Sequence, residues 1–374
     1  MICSNCGKSY LLSAINTYAV CCNQPLFVQY DFNGSFLKNE LSNRENTMWR
    51  YSEMLPVLNK KNIVSLGEGM TPIIHLDHLA SRFGLLSLMM KDESINPTGS
   101  FKARGISSAV SKAKELGIDR CIIPTAGNAG GAMAAYCEEA GIKCTIVMPE
   151  HTPDIFKEQC KRYGAELIQV KGLISDCAKK VEELKKHHVY FDVSTLKEPY
   201  RLEGKKTMGF EIAEQLDWQL PDVIICPVGG GTGLIGIWKS FKEMLALGWI
   251  REPLPKMIAV QTSNCAPLVA SFADPDKWKQ TFFPKPSIAY GLAVPYPFGI
   301  DIMQKVISES GGKALAVNEE EIAEGIKEVE RKEHIVLSPE GSATWKAVRH
   351  LLDEKIVTAD KKILFLNTGS GYKN

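Results

Sequence analysis

Twice in this chain a short apolar run stops at a turn carrying glycine and continues as a helix. Cys121-Ile122-Ile123 passes through Pro124-Thr125-Ala126-Gly127-Asn128 into an alanine-rich stretch. Asp222-Val223-Ile224-Ile225-Cys226 passes through Pro227-Val228 and Gly229-Gly230-Gly231-Thr232-Gly233 into the pattern Leu234, Ile235, Ile237, Trp238. Runs that stay apolar from residue to residue are strands covered on both faces, and strands alternating with helices imply parallel sheets with the helices as covering layers. Cys144–Met148, Glu166–Val170 and Val189–Val193 read as strands of one small sheet, with helices at Lys157–Tyr163 and Cys177–Lys186 between them. Met257–Gln261 and Ile363–Leu366 read as strands of a larger sheet, with helices near Glu319–Arg331 and Gly341–Leu352. The expected fold class is therefore α/β with open parallel sheets, and 374 residues with 45% hydrophobic content suit two or three domains.

The turns are suited to anions. Residues without a Cβ at Gly229, Gly230, Gly231 and Gly233 let backbone N–H groups converge, and the helix that follows adds positive potential, so this loop with Thr232 suits a phosphate. It lacks the Lys-Ser/Thr ending of a Walker loop and the spacing of a dinucleotide fingerprint. The turn at Thr125, Ala126, Gly127 and Asn128 offers first-turn amides and side-chain donors to a carboxylate. In Ser94-Ile95-Asn96-Pro97-Thr98-Gly99-Ser100-Phe101-Lys102-Ala103-Arg104-Gly105, Lys102 stands where a helix starts, with Ser100 as the expected N-cap. The helix dipole and partial burial both disfavour an ammonium there, leaving an amine able to form an imine. After the last apolar strand comes Asn367-Thr368-Gly369-Ser370-Gly371. Taken singly, each segment is also an ordinary helix start or strand end; their order is what discriminates.

Composition narrows the partners. A net charge of +1, with Lys and Arg interspersed among Asp and Glu, provides no basic stripe for nucleic acid and no attraction to anionic membrane. No apolar run is long enough to span a bilayer, and Met1-Ile2-Cys3-Ser4-Asn5-Cys6 lacks the basic start and apolar stretch of a signal peptide, so a cytoplasmic location is expected. Cys121, Cys144 and Cys226, among eleven cysteines, lie in apolar segments and read as reduced thiols packed as small hydrophobes.

Together these residues resemble the pyridoxal-phosphate enzymes of the tryptophan synthase β-subunit fold and, within them, the threonine synthase family. Pro97–Gly105 is similar to the cofactor-lysine motif, and Ser65-Leu66-Gly67-Glu68-Gly69-Met70-Thr71-Pro72 to an early substrate-side loop. Tyr200-Arg201-Leu202-Glu203-Gly204-Lys205-Lys206-Thr207 and Thr368-Gly369-Ser370-Gly371-Tyr372-Lys373 are similar to threonine synthase motifs, and the resemblance covers nearly the whole chain. It implies two open parallel-sheet domains with a cofactor cleft between them: a large one from residues 31–109 and 200–374, and a small one from 110–199. A short zinc-ribbon-like segment over residues 1–30 precedes them.

The resemblance further implies pyridoxal 5'-phosphate as cofactor, a small-molecule amino-acid substrate and a homodimer. Lys102 would carry the cofactor and move protons, Asn128 would bond its ring hydroxyl oxygen, and Gly229 to Gly233 with Thr232 would hold its phosphate. Thr368 would face the pyridine nitrogen, with Ser370 an alternative. Thr125, Ala126 and Gly127 would take the substrate carboxylate. Arg201 would take the substrate phosphate as O-phospho-L-homoserine and water become L-threonine and phosphate. Locally, Arg201 is equally a helix-start arginine paired with Glu198 or Glu203.

Ala129, Thr195-Leu196 and the triple glycine depart from the family pattern. They shift the substrate phosphate toward Lys205 or Ser65, and they keep open an ammonia-lyase on threonine or serine or a β-replacement synthase on a three-carbon amino acid. Retention of Lys102, Asn128, the glycine loop and Thr368 disfavours a non-catalytic relative. Cys3, Cys6, Cys21 and Cys22 resemble the zinc ribbon of some members. Because Cys21 and Cys22 are adjacent, whereas a knuckle spaces its thiolates around a tetrahedral ion, a ribbon without zinc is expected.

Overall fold

The computed structural model describes residues 1–32 and 38–373. In chain order the strands are β1 (Ile2–Cys3), β2 (Leu26–Phe27), β3 (Ile73–His75), β4 (Ser87–Asp92), β5 (Arg120–Pro124), β6 (Lys143–Pro149), β7 (Glu166–Val170), β8 (Phe191–Asp192), β9 (Val223–Pro227), β10 (Lys256–Thr262), β11 (Lys313–Val317) and β12 (Lys362–Asn367). The helices are α1 (Asp77–Arg82), α2 (Lys102–Glu115), α3 (Asn128–Ala140), α4 (Asp154–Arg162), α5 (Ile174–Leu184), α6 (Tyr200–Gln215), α7 (Thr232–Ala246), α8 (Pro267–Ala273), α9 (Trp278–Thr281), α10 (Ile300–Glu309), α11 (Glu319–Glu333) and α12 (Pro339–Asp353). They fall into two compact units, residues 1–70 with 96–207 and residues 71–95 with 208–374.

The first unit is built on a parallel sheet in the order β7-β6-β5-β8. Alternate residues of β5 explain why it reads as continuously apolar: Cys121 and Ile123 pack with Ile106 and Val110 of α2 and Met133 of α3. Ile122, pointing the other way, packs with Cys177 and Val181 of α5. The N-terminal residues form a separate small core around Cys3, Ala19 and Leu26, closed by antiparallel pairing of β1 with β2.

Helices α2 and the first half of α6 meet backbone to backbone. A Cβ on Gly204 would stand 2.1 Å from the Arg104 carbonyl oxygen, and one on Gly105 would stand 2.8 Å from that of Arg201. Only a pair of glycines lets the helices approach this closely, and the approach brings Arg201 alongside the helix that starts at Lys102.

The second unit is a six-stranded sheet in the order β11-β10-β9-β12-β4-β3, parallel except for β3, which runs antiparallel to β4. Its core centres on Trp345 of α12, fully buried between Phe83 and Phe365, with its indole N–H donated to Glu328 at 3.0 Å. Strands β9 and β12 are neighbours, so the loops that leave their carboxyl ends emerge side by side, where open α/β sheets place ligands.

The division between units differs from the one expected. Residues 31–32, 38–70, 96–109 and 200–207 go with the small sheet rather than with the large one, because α2 packs on α3 and the start of α6 packs on α2. Residues 33–37 of that expected domain lie outside the described residues. The strand expected over Val189–Val193 shrinks to β8, since Val189 is exposed. Gly204→Ala is expected to destabilise the protein by about 3 kcal/mol or more, the overpacking cost of a methyl group with no room, read from the urea midpoint of unfolding.

Candidate active site

Lys102 is the first residue of α2 and is half-buried. Two successive residues with positive φ, Thr98 at 63° and Gly99 at 70°, turn the chain sharply just before it. A threonine in that conformation costs about 1 kcal/mol, and such strain concentrates where a side chain must be aimed. Asn96 closes the turn from both sides: its carbonyl accepts the Gly99 N–H at 2.8 Å and its Oδ1 accepts the Gly69 N–H at 3.1 Å. The expected N-cap is displaced by one residue. Phe101 occupies that position without a side-chain bond, and Ser100 Oγ accepts the Lys102 N–H at a long 3.4 Å. The Lys102 ammonium nitrogen lies 4.8 Å from the centre of the Phe101 ring, which the Lys205 side chain also covers.

Asn128 opens α3, and Gly127 before it provides no side-chain cap, while its carbonyl accepts the first-turn Gly130 N–H at 3.0 Å. A Cβ on Gly127 would meet nothing within 4 Å, so there is room there for a carboxylate. Thr125, buried, turns its Oγ1 toward the Gly127 N–H at 3.3 Å. The structure thus gathers Thr125, Ala126, Gly127 and Asn128 at one helix start.

Arg201 is 2% exposed, and its Nη1 donates to the Val193 carbonyl at 2.7 Å and to Thr195 Oγ1 at 3.5 Å. Neither acidic neighbour takes the guanidinium. Glu198 spends Oε2 on the backbone N–H groups of Tyr200 and Arg201, at 2.7 and 3.0 Å, and so caps α6. Glu203 pairs instead with Lys206 at 2.7 Å and accepts the Tyr30 hydroxyl at 2.9 Å. Arg201 Nε has no hydrogen-bond partner among the described residues. Burial lifts the Glu198 carboxyl to about 7 against the pull of Arg201, and the same burial lowers the Arg201 guanidinium from its usual value.

Sequence reasoning missed Glu68. Fully buried, it accepts the Trp49 indole N–H at 3.0 Å, the Leu66 N–H at 2.9 Å and the Tyr136 hydroxyl at 2.5 Å. Burial, then the facing carboxylate, push the Tyr136 phenol far above its usual range. Glu68 therefore ties the Ser65–Gly69 loop to α3, while Ser107 and Ser111 of α2 hold the same loop at Val64. The available signal was an acid set between two glycines in an otherwise small and apolar loop.

In the second unit, Gly231 adopts φ 84° and ends the turn into α7 without a side-chain cap. A Cβ on Gly229 would stand 2.3 Å from the Gly291 carbonyl oxygen, and one on Gly231 2.3 Å from the Met303 sulfur. Thr232 is the first residue of the helix and is buried. Bare N–H groups at a helix start, beside a hydroxyl and backbone that excludes side chains, form a donor set that fits a phosphate. On the neighbouring strand end, Thr368 is 5% exposed, and its hydroxyl donates no hydrogen bond to the described residues. An aromatic ring nitrogen could take that bond.

The adjacency of Cys21 and Cys22 does not keep the N-terminal thiols apart. The sulfurs of Cys3, Cys6, Cys21 and Cys22 all lie within 4.8 Å of one another, and all eleven cysteines are free thiols. Tetrahedral thiolates bonded to zinc at about 2.3 Å stand roughly 3.8 Å apart, so this quartet fits that ion.

Residues 64–369 match the family described as pyridoxal-phosphate dependent enzyme, and the chain belongs to that family. It is 37% identical to a threonine synthase of Methanocaldococcus jannaschii over all of this chain and 92% of that one. It is 32% identical to a threonine synthase of Methanosarcina acetivorans over 98% of this chain and 90% of the relative. The fold is similar to that of serine racemase from Dictyostelium discoideum, with a TM-score of 0.66 at 24% identity over 80% of this chain and 92% of the other.

The Glu198 carboxyl, held at about 7 when folded against 4.5 when free, binds its proton more tightly in the native chain. Its stabilising effect is full below about pH 4.5 and is lost as pH rises through about 7. Across that interval the wild type is expected to lose about 3 kcal/mol relative to Glu198→Gln, measured by urea unfolding at a series of pH values.

Proposed function

We propose that this chain converts O-phospho-L-homoserine and water to L-threonine and phosphate. The observation that carries the reading is Arg201, a buried guanidinium with an unused Nε donor at the start of α6, as a second anion site requires. In the reaction the Cγ–O bond breaks, phosphate leaves, water adds at Cβ, and Cγ becomes a methyl group.

When bound, pyridoxal phosphate supplies a ring that withdraws electrons from the substrate carbons beside the amino group. Lys102 would hold it covalently, and the lysine amine would take the proton from Cα and return protons to the carbons that need them. The N–H groups of the glycine loop and the Thr232 hydroxyl would hold the cofactor phosphate, Asn128 would bond the ring hydroxyl oxygen, and Thr368 would donate to the ring nitrogen. A hydroxyl at that nitrogen, unlike a carboxylate, imposes no positive charge on the ring, which favours elimination and replacement over transamination. Thr125 and the amides of Ala126 and Gly127 orient the substrate carboxylate. Arg201, with Thr195 beside it, binds the phosphate that leaves.

The N-terminal quartet holds one zinc ion in this reading, and the working form is a homodimer in the cytoplasm. Support for the zinc comes from the clustering of the sulfurs, including Cys6 and Cys21 at 3.5 Å. Among the described residues no helix is long and apolar enough to cross a membrane.

Parallel incubation with O-phospho-L-homoserine and with L-threonine is expected to give threonine and phosphate from the first. Ammonia and 2-oxobutyrate from the second alone would replace this reading with an ammonia-lyase. Lys102→Ala is expected to abolish turnover, leave the circular dichroism unchanged and remove the site of borohydride trapping found by peptide mapping. Metal analysis is expected to find about one zinc per chain, lost in Cys6→Ser.

A further inference from the structure

Glu340, in the first turn of α12, has no part in the roles assigned above, yet one side of the glycine loop rests on it. Its Oε1 accepts the Gly291 N–H at 2.8 Å. The Gly291 carbonyl oxygen in turn lies against Gly229, where a Cβ would be only 2.3 Å from it. Gly291 sits in a tight turn, with the Leu292 N–H donated to the Ala289 carbonyl at 2.9 Å and the Val294 N–H to that of Leu292 at 2.8 Å. The turn is thus wedged between a carboxylate and the backbone of the glycine loop.

The same turn of α12 is also fixed to the Thr368 loop. Asn367 Oδ1 accepts from both the N–H and the Oγ of Ser338 at 3.1 Å, and Ser338 Oγ caps the Gly341 N–H at 3.1 Å. Asn367 Nδ2 donates to Asp92 Oδ1 at 3.0 Å across the β12–β4 register. Direct contacts therefore run from Asp92 through Asn367 and Ser338 into α12, and from Glu340 through Gly291 to Gly229.

From this row we infer that Glu340 is a positioning residue for the cofactor phosphate, an inference that rests on reading Gly229–Gly233 as the phosphate loop. By holding the Gly291 N–H, Glu340 fixes the carbonyl against which Gly229 packs and so sets where the N–H groups of the loop point. A carboxylate suits the place, because negative charge is favoured in the first turn of a helix.

The test uses the full chain, freed of cofactor and titrated separately with pyridoxal phosphate and with pyridoxal, which has the same ring and aldehyde but no phosphate. Binding is followed by the absorbance of the protein-bound aldehyde. Glu340→Ala and Glu340→Asp are each expected to weaken pyridoxal phosphate about tenfold while leaving pyridoxal within about twofold, since only the phosphate contacts move. Glu340→Gln keeps an oxygen acceptor at the same reach and is expected to stay within about twofold of wild type for both ligands. The aspartate variant keeps the charge at the helix start and carries the test should the alanine variant not fold. Equal losses for both ligands, unchanged binding in the alanine and aspartate variants, or a loss in the glutamine variant as large as in alanine would each overturn the inference. A wild type that binds pyridoxal as tightly as pyridoxal phosphate would overturn the loop assignment itself, and the inference with it.

Discussion

The contact on which the first unit depends is between two stretches of bare backbone. Gly105 and Gly204 let α2 and α6 touch where almost any other pair of residues would hold them apart by the thickness of a side chain. That closeness has a chemical result. The helix that begins with Lys102 and the helix that begins beside Arg201 are set at a fixed separation by main-chain atoms, which cannot change rotamer. Glu68 then fixes the remaining edge by holding the Ser65–Gly69 loop to α3 and to Trp49. A fully buried carboxylate with three donors is stable only as a complete set, so the loop is ordered together with its partners or not at all.

The second unit reaches a comparable precision by another route. Its two candidate cofactor loops leave adjacent parallel strands at the same end, so the β9–β12 pairing fixes their spacing before any side chain is considered. What remains adjustable is the direction of the N–H groups in the glycine loop, and backbone from a third segment, at Gly291, restricts it. Rigid strands set the distance and packed loops set the aim.

Most of the strands were legible because their burial is two-sided, as at Val223–Pro227 and Lys362–Asn367, and the turns that follow β5 and β9 were legible because glycine marks a tight strand-to-helix connection. Strand β4 was not legible. It carries Lys91 and Asp92, charges that sequence alone assigns to the surface, and Lys91 is buried because the Thr71 carbonyl at 2.6 Å and, from far along the chain, Gln215 at 2.8 Å and Glu211 at 2.9 Å take its ammonium. The unit boundaries escaped for a similar reason, since they follow the packing of α2 and α6, which no local pattern records. Glu68 escaped because its partners Trp49 and Tyr136 lie 19 and 68 residues away. The spacing of the thiol cluster was not legible at Cys21-Cys22, where the path of the backbone brings all four sulfurs within 4.8 Å of one another despite the adjacency. In the candidate site, Lys102 and Asn128 stood out as expected helix starts and Thr368 as the residue after the last apolar strand, while their roles rested on the family resemblance. The side chains that steady them did not.

The strand order of the larger sheet has a consequence for how the chain is made. β12, synthesised after every other strand, lies in the interior of that sheet between β9 and β4. Until it arrives, β9 and β4 expose unpaired edges, and the two strands drawn from residues 71–95 have no bridge to the rest. Until β12 is made the sheet therefore carries an open seam, the state in which a parallel sheet is most prone to pair with the wrong partner. Pairing of β12 with both edges closes that seam and joins the two parts of the sheet in one step.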